Sequence, residues 1–220
     1  MIGTRVSWSL MLLGIAAGLC GCRASGRCGE VEGSSTATGP RVVFDVGRDG
    51  EDWGSILFEL APKEAPETVA NFLRYVDDGY YDGTIIHRVL IGEHQRIQIF
   101  QGGGYTALRS DAKPGQRAPI PLETRRGLSN VRGTIAMARD AAPDTATSEY
   151  FVNLGDNTRL DYQNEEKPGY AVFGRIVSGW EVVARIMQVQ TEENPDPVLK
   201  GEVSTPLKPP VVLRARRVAP

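Results

Sequence analysis

Residues 80–104, YYDGTIIHRVLIGEHQRIQIFQGGG, contain two apolar runs that decide the fold. The first run, 85–90, is rich in β-branched residues and has Arg88 near its middle, and the second, 97–100, ends at Gln101 and three glycines. Runs of this length and composition are typical of strands. A buried strand rarely carries an arginine without a partner or a task. We therefore expect Arg88 and Gln101 to lie on neighbouring strands and to present their donors to one groove.

The rest of the chain contains six more short strand-like runs and two amphipathic helices. The first helix begins at Pro66, where the missing N–H costs nothing, and its apolar residues recur at helical spacing. The second helix follows Ser178. The strand-like runs are 42–46, 55–60, 133–138, 150–154, 171–177 and 211–213. Many short strands with only two helices predict a mainly β protein built as a closed antiparallel barrel.

Six sequence motifs follow one another along the chain. They are APETVANFLRYV (65–76), YDGTIIHRV (81–89), FQGGG (100–104), RGTIAMAR (132–139), TSEYFVNLGDN (147–157) and GYAVFGRI (169–176). In this order they resemble the cyclophilins, the peptidyl-prolyl cis–trans isomerases, and are most similar to bacterial members. The resemblance covers roughly residues 41–218. It implies a closed eight-stranded antiparallel barrel capped by two α-helices, with a substrate groove on the outer face, no cofactor and no metal.

The chemistry of prolyl isomerisation explains why an arginine would be central. Rotation about an X–Pro bond crosses a barrier of about 18–20 kcal/mol, because the C–N bond is partly double. In the twisted transition state the prolyl nitrogen regains a lone pair, so a fixed donor binds that state better than either ground state. Arginine is always charged and presents a rigid fork of donors. No nucleophile, metal or general base is required.

By resemblance, two residues are catalytic and six bind substrate. Arg88 is the catalytic arginine, and Gln101 holds it and contacts the peptide backbone. The predicted substrate-binding residues are Ile99, Ala138, Arg139, Phe151, Leu160 and Tyr170, with Phe151 on the floor of a proline pocket. Ordinary packing would explain any one of the apolar residues, so only their joint placement would indicate a pocket.

Four departures from the family pattern bear on the site. The spacing between the two catalytic residues is 13 positions, which leaves GEHQR (92–96) as an insertion of about five residues. Gln98 stands where a pocket phenylalanine is usual, so the pocket should lose an apolar wall. Glu149 replaces a glutamine and is expected either to orient Arg88 or to hold it away from substrate. Arg159 replaces the aromatic residue associated with cyclosporin affinity, which predicts weak cyclosporin binding.

The N-terminus resembles a bacterial export signal. Residues 1–21 have one early arginine and a short apolar stretch, too short to span a bilayer, and LCGC (19–22) resembles a lipobox with Cys22 as the acylated residue. An ordinary secretory cleavage nearby is the alternative. Residues 22–39 have a linker composition, and 40–220 form the predicted isomerase domain. All three cysteines precede residue 30, so the domain has no disulfide framework.

Net charge and composition limit the classes of partner that the protein is expected to bind. A net charge of −2 argues against nucleic acid as the main partner, because no basic excess could offset phosphates. We expect an exported monomer that is anchored to a membrane of the cell envelope by lipid and acts on proline-containing polypeptide segments. The main alternative is a proline-peptide-binding or chaperone-like module with little or no catalysis. A barrel that binds a small hydrophobic ligand inside is a weaker third reading, since the sequence gives no sign of a hollow interior.

Overall fold

The structure, a computed structural model, describes residues 39–92, 95–108, 110–125 and 128–218. The predicted signal peptide, Cys22 and the linker up to residue 38 lie outside the described residues and stay predictions. The strands are β1 (Arg41–Arg48), β2 (Glu51–Leu60), β3 (Ile86–Leu90), β4 (Ile99–Gly102), β5 (Thr134–Met137), β6 (Tyr150–Asn153), β7 (Val172–Ser178), β8 (Thr191–Glu193), β9 (Val203–Pro206) and β10 (Val211–Val218). The helices are α1 (Pro66–Asp77) and α2 (Trp180–Met187).

Eight of the strands form one antiparallel sheet in the order β10-β1-β2-β7-β5-β6-β4-β3. The sheet curls until its edge strands β3 and β10 approach at one end. There Ile85 and Val211 form a bridge, and the Ile86 N–H donates to the Pro210 carbonyl at 2.8 Å. The predicted eight-stranded barrel is therefore correct in strand number and direction, but its closure is a short bridge and not a full ladder.

The barrel core is filled by side chains that point inward from the sheet and by the apolar stripes of the two helices. Aromatic residues dominate its centre, where Phe44, Phe72 and Tyr81 have ring centroids 5.1–5.9 Å apart. Aromatic contacts of this kind are typical of a filled protein interior. The aromatic packing therefore argues against a barrel that binds a small hydrophobic ligand inside.

The first helix begins where the sequence predicts, and the second begins one residue later. Pro66 is the first residue of α1, whose buried stripe includes Val69, Phe72 and Val76. The N-cap of α2 is Gly179 at φ 96°, one residue later than expected. A side chain at that position would have its Cβ 2.2 Å from the Ser55 carbonyl oxygen, so only glycine fits between the helix and β2. No helix in the described ranges is long and apolar enough to cross a membrane.

A second, two-stranded sheet was not expected from the sequence. Strands β8 and β9 pair antiparallel outside the barrel sheet. Residues 194–202 connect them and include a short 3₁₀ turn, Pro197–Leu199. We call residues 191–206 the β8–β9 arm. It carries a carboxylate to the outer face of the barrel.

Candidate active site

The two predicted catalytic residues and the predicted pocket floor lie in a row across neighbouring strands. Arg88 on β3 pairs with Gln101 on β4, Gln101 pairs with Phe151 on β6, and Phe151 pairs with Ala136 on β5. Directly opposed residues in a sheet share a face. The register therefore brings donors and apolar residues from four strands onto one patch of the outer surface.

A β-bulge at His87 changes the direction of the β3 side chains in this row. Ile86 pairs with Gly102 and Arg88 with Gln101, so the extra residue of β3 is His87. A bulge inserts one residue and re-aims the side chains beside it. As a result both His87 and Arg88 line the same outer depression, although neighbours in a regular strand would face opposite sides.

All eight predicted site residues border one open cavity of about 480 Å³. Phe151 and Tyr170 pack edge to face, with ring centroids 5.5 Å apart and an interplanar angle of 83°. Leu160 ends a 3₁₀ turn, and its carbonyl accepts a 2.9 Å hydrogen bond from the Tyr170 N–H, which ties these two walls together. The joint placement that would make a pocket is present. The roles of the individual residues stay predictions.

In the segment before β4 the cavity is bordered by Ile97 and not by Gln98. Gln98 is not among the residues that border the cavity, and its side-chain amide donates to the Gly92 carbonyl at 3.3 Å. Ile97 borders the cavity together with Ile99, because residues two apart on an extended strand share a face. Position 98 therefore contributes no wall to the cavity, and the functional effect of this substitution stays a prediction.

Arg139 takes part in holding the wall and does not project freely. Its Nε and Nη2 groups donate to the Gly169 carbonyl at 3.0 and 2.9 Å. Its guanidinium carbon lies 4.6 Å from the centre of the Tyr170 ring. The side chain thus fixes the loop that carries Tyr170, and Arg139 can meet a substrate only through its backbone or its remaining donors.

Arg88 forms a salt bridge with a carboxylate of the β8–β9 arm. Its Nε and Nη2 groups donate to the two oxygens of Glu202, each at 2.7 Å, and Nη1 donates to Gln101 Oε1 at 3.1 Å. Sequence reasoning placed Glu149 near Arg88 but did not find Glu202. Glu202 is 114 positions away from Arg88 and lies in a stretch without periodicity, so the sequence offered no local signal for it.

Glu149 accepts a hydrogen bond from Gln101 and not from Arg88. Gln101 Nε2 donates to Glu149 Oε2 at 2.7 Å, which orients the amide so that its oxygen faces Arg88. Burial raises the pKa of Glu149, although the bond from Gln101 opposes this. His87 Nε2 lies 3.5 Å from the same carboxylate oxygen, and burial beside Arg88 lowers the pKa of His87 to about 4. At neutral pH His87 is therefore uncharged, and the contact is not an ion pair.

Two departures from the family pattern, Arg159 and the described part of the insertion 92–96, lie beside the cavity. Arg159 is exposed and borders a neighbouring depression, together with Gln95 and Arg96 of the inserted segment. The Gln95 N–H donates to the Gly92 carbonyl at 3.1 Å, and Gly92, Gln95 and Arg96 are not among the residues that border the cavity. The described part of the insertion therefore does not line the cavity. The described residues also contain no group of three or more histidine, cysteine, aspartate or glutamate side chains placed to hold a metal ion.

Comparisons with known proteins agree with this geometry. Residues 44–206 match the model of the family described as cyclophilin type peptidyl-prolyl cis-trans isomerase/CLD. Peptidyl-prolyl cis-trans isomerase A of Dickeya dadantii is 46% identical over 140 residues, which are 63% of this chain and 69% of that protein. A peptidyl-prolyl cis-trans isomerase of Streptomyces antibioticus is 40% identical over 165 residues, which cover 74% of this chain and 92% of that protein.

A solved structure shares the fold. The crystal structure of a cyclophilin type peptidyl-prolyl cis-trans isomerase from Cryptosporidium parvum superposes with a TM-score of 0.62 and 22% identity. It covers 82% of this chain and 98% of that protein. With the family model covering most of the described domain, the chain belongs to the cyclophilin-type peptidyl-prolyl cis–trans isomerases, the class of enzyme that its motifs predict.

Proposed function

We propose that this protein accelerates X–Pro isomerisation in exported or unfolded polypeptides and that Arg88 stabilises the twisted transition state. The observation that carries the proposal is the position of Arg88 at the edge of the cavity bordered by Ile99, Phe151 and Leu160. A proline ring in that cavity would put its nitrogen within reach of the guanidinium. Because the donor is already oriented, its interaction with the developing lone pair costs no reorganisation.

The free donors of Arg88 support this role. Glu202 and Gln101 accept from Nε, one N–H of Nη2 and one N–H of Nη1. Within the described part of the chain, one N–H on Nη1 and one on Nη2 have no acceptor. A substrate amide is the partner we assign to them.

Isomerisation of a short Xaa-Pro peptide by the purified protein tests the proposal. We expect the wild type to accelerate exchange and Arg88→Ala to lose about a hundredfold or more in kcat/KM, since the donor aimed at the nitrogen is gone. Glu51→Gln, which removes a carboxylate from an exposed pair with Arg185, is the control and should keep full activity. A wild-type protein without activity above background would contradict the proposal.

The rival function is a binding module for proline peptides. It is favoured by one observation, namely that Glu202 occupies two of the Arg88 donors. The two readings differ in one measurement, because a binding module would bind Xaa-Pro peptides without changing their exchange rate. Binding without catalysis by the wild type would select it.

Export and lipid anchoring are part of the proposal and rest on the sequence of residues 1–39. A lipid on Cys22 and a flexible linker would hold the isomerase domain close to a membrane surface. Mass spectrometry of the mature protein from the cell envelope should find an acylated Cys22 at the N-terminus. An unmodified N-terminus at another residue would contradict the anchor and leave the isomerase proposal untouched.

A further inference from the structure

Glu202 makes a two-point contact with the central arginine of the site. Its two carboxylate oxygens each accept a 2.7 Å bond, one from Nε and one from Nη2 of Arg88. Paired parallel bonds between a guanidinium and a carboxylate fix direction as well as distance. The side chains of Arg88 and Glu202 are only 14% and 16% exposed, so water competes weakly for these bonds. The contact therefore holds the plane of the guanidinium.

Glu202 is itself held by the β8–β9 arm. The Ser204 hydroxyl donates to Glu202 Oε1 at 2.6 Å, and Asn194 Nδ2 donates to the Ser204 oxygen at 3.0 Å. The Asn194 N–H also donates to the Glu202 carbonyl at 2.7 Å, which closes the loop between the two strands. Ser204 is fully buried. These hydrogen bonds therefore fix the position of the Glu202 carboxylate that contacts Arg88.

These contacts form one continuous hydrogen-bonded chain through the site. It begins at Asn194 and Ser204, passes through Glu202 and Arg88 to Gln101, and ends at Glu149. Each side chain in it is hydrogen-bonded to the next, and such a network restrains its members. Arg88 stands in the middle and is restrained from both sides.

The arm does not fill the cavity that it borders. Val198 and Leu199 of the arm line the cavity beside Phe151, but Val198 is 88% exposed. A segment that blocked the site would bury its apolar residues against Phe151 and its neighbours. The exposed valine shows that the arm forms a rim and leaves the site open.

Resting on the proposed function of the site, we propose that Glu202 is a positioning residue for prolyl isomerisation, which aims the free donors of Arg88 at the substrate amide. Burial opposes ionisation of Glu202, yet the bonds from Arg88 and Ser204 and the charge of Arg88 lower its pKa, so the carboxylate is charged at neutral pH. The β8–β9 arm is then a part of the active site that lies outside the barrel sheet.

A double-mutant cycle tests the proposal in the purified full-length protein. Glu202→Gln keeps the volume of the side chain but removes its charge and replaces one acceptor with a donor, so the two-point contact cannot form. We expect kcat/KM for an Xaa-Pro peptide to fall about ten- to hundredfold, because the donors are misdirected by a small distance. The Kd for the same peptide should change by less than about threefold.

The second half of the cycle separates positioning from a general effect on the fold. In an Arg88→Ala background, Glu202→Gln should cause no further loss beyond about twofold, since it acts only through Arg88. Equal losses in both backgrounds, or a single variant that is as fast as or faster than the wild type, would overturn the proposal. A wild type without isomerase activity would overturn the proposed function itself, which is a distinguishable result.

Side-chain NMR of Arg88 gives a readout that does not depend on catalysis. The Nε–H signal of Arg88 should report a rigid group in the wild type and a mobile one in Glu202→Gln, while the backbone amide spectrum stays folded. The matched control Glu51→Gln should leave the Arg88 signal unchanged. An Arg88 side chain that stays rigid without the Glu202 carboxylate would overturn the positioning role.

Discussion

Phe100 and Phe151 lie on the paired strands β4 and β6 and are almost equally buried, with 1% and 3% of each residue exposed. They nevertheless belong to different apolar clusters. Phe100 packs in the barrel core with Phe44 and Phe72, whereas Phe151 packs on the outer face with Ile99. Exposure alone therefore does not distinguish a core residue from a residue of the site. The direction of the side chain from the strand does.

The two clusters share the same five strands. Each strand sends one residue inward and a neighbouring residue outward, because side chains alternate along a strand. The inward and outward members are Val89 and Leu90, Phe100 and Ile99, Ile135 and Ala136, Val152 and Phe151, and Phe173 and Val172. The inward set is large and enclosed, and the outward set is small, with Ile99 and Phe151 bordering the cavity of the candidate site. We expect the inward set to stabilise the fold, and we expect these two outward residues to bind substrate under the proposed function.

Removal of an inward aromatic should have the largest effect on stability. We expect Phe100→Ala to lower the free energy of unfolding by about 3–5 kcal/mol, since it removes buried surface and leaves a cavity in an enclosed core. Denaturant unfolding followed by tryptophan fluorescence measures the change. The fraction that remains folded should keep its kcat/KM. A loss of less than about 1 kcal/mol would show that the core is not the closed cluster described above.

Acid should destabilise the groove face through His87. The pKa of His87 is lowered from 6.5 to about 4 by burial and by Arg88, so below pH 6.5 the unfolded chain takes up a proton that the folded protein does not. The free energy of unfolding should therefore decrease as the pH falls from 6.5 to about 4, by up to about 3 kcal/mol, and His87 should contribute no slope above that range.

The comparison of wild type with His87→Gln isolates this contribution. Glu149 has a raised pKa and gives a slope of the opposite sign above pH 4.5, but it is present in both proteins. Unfolding curves at several pH values should show the acid-dependent loss in the wild type and not in the variant. Parallel pH profiles for the two proteins would contradict a buried, neutral His87.

Removal of the outward aromatic should affect binding more than stability. For Phe151→Ala we expect a loss of about 2 kcal/mol in the free energy of unfolding, because the space it leaves opens to the groove and needs no enclosed cavity. The kcat/KM for an Xaa-Pro peptide should fall at least about tenfold as the proline loses its apolar floor. A variant with full activity and a large loss of stability would place Phe151 in the core and not in the site.

A change at Arg159 should leave stability almost unaltered. The residue is exposed, so Arg159→Trp should change the free energy of unfolding by less than about 0.5 kcal/mol. It should raise the affinity for cyclosporin, which we expect to be weak in the wild type. Calorimetric titration of both proteins checks this, and tight binding by the wild type would contradict the expectation.

The alternation of side chains explains how much of the molecule could be predicted from sequence. The eight barrel strands, the two helices and the separation of Phe100 from Ile99 follow from local composition and a period of two, which neighbouring residues carry. The choice of the eight site residues came from the resemblance of the motifs to the cyclophilins, and all eight border one cavity.

The parts that could not be predicted depend on contacts between distant segments. Strands β8 and β9 are short and polar, so they have no apolar period to mark them. Glu202 meets Arg88 only because the arm folds back over the sheet, a contact that no neighbouring residue announces. The sequence also could not show which side chain Glu149 contacts. It was expected beside Arg88, but its carboxylate accepts a hydrogen bond from Gln101.

The central claim is that the fixed fork of Arg88, and not its charge alone, lowers the barrier to prolyl rotation. The most direct test is NMR exchange spectroscopy of an Xaa-Pro peptide with wild type and with Arg88→Lys, which keeps the charge and loses the planar fork. We predict that the wild type catalyses cis–trans exchange and that the lysine variant binds the peptide with a Kd within about threefold but catalyses little exchange. Exchange by Arg88→Lys at the rate of the wild type would contradict the claim.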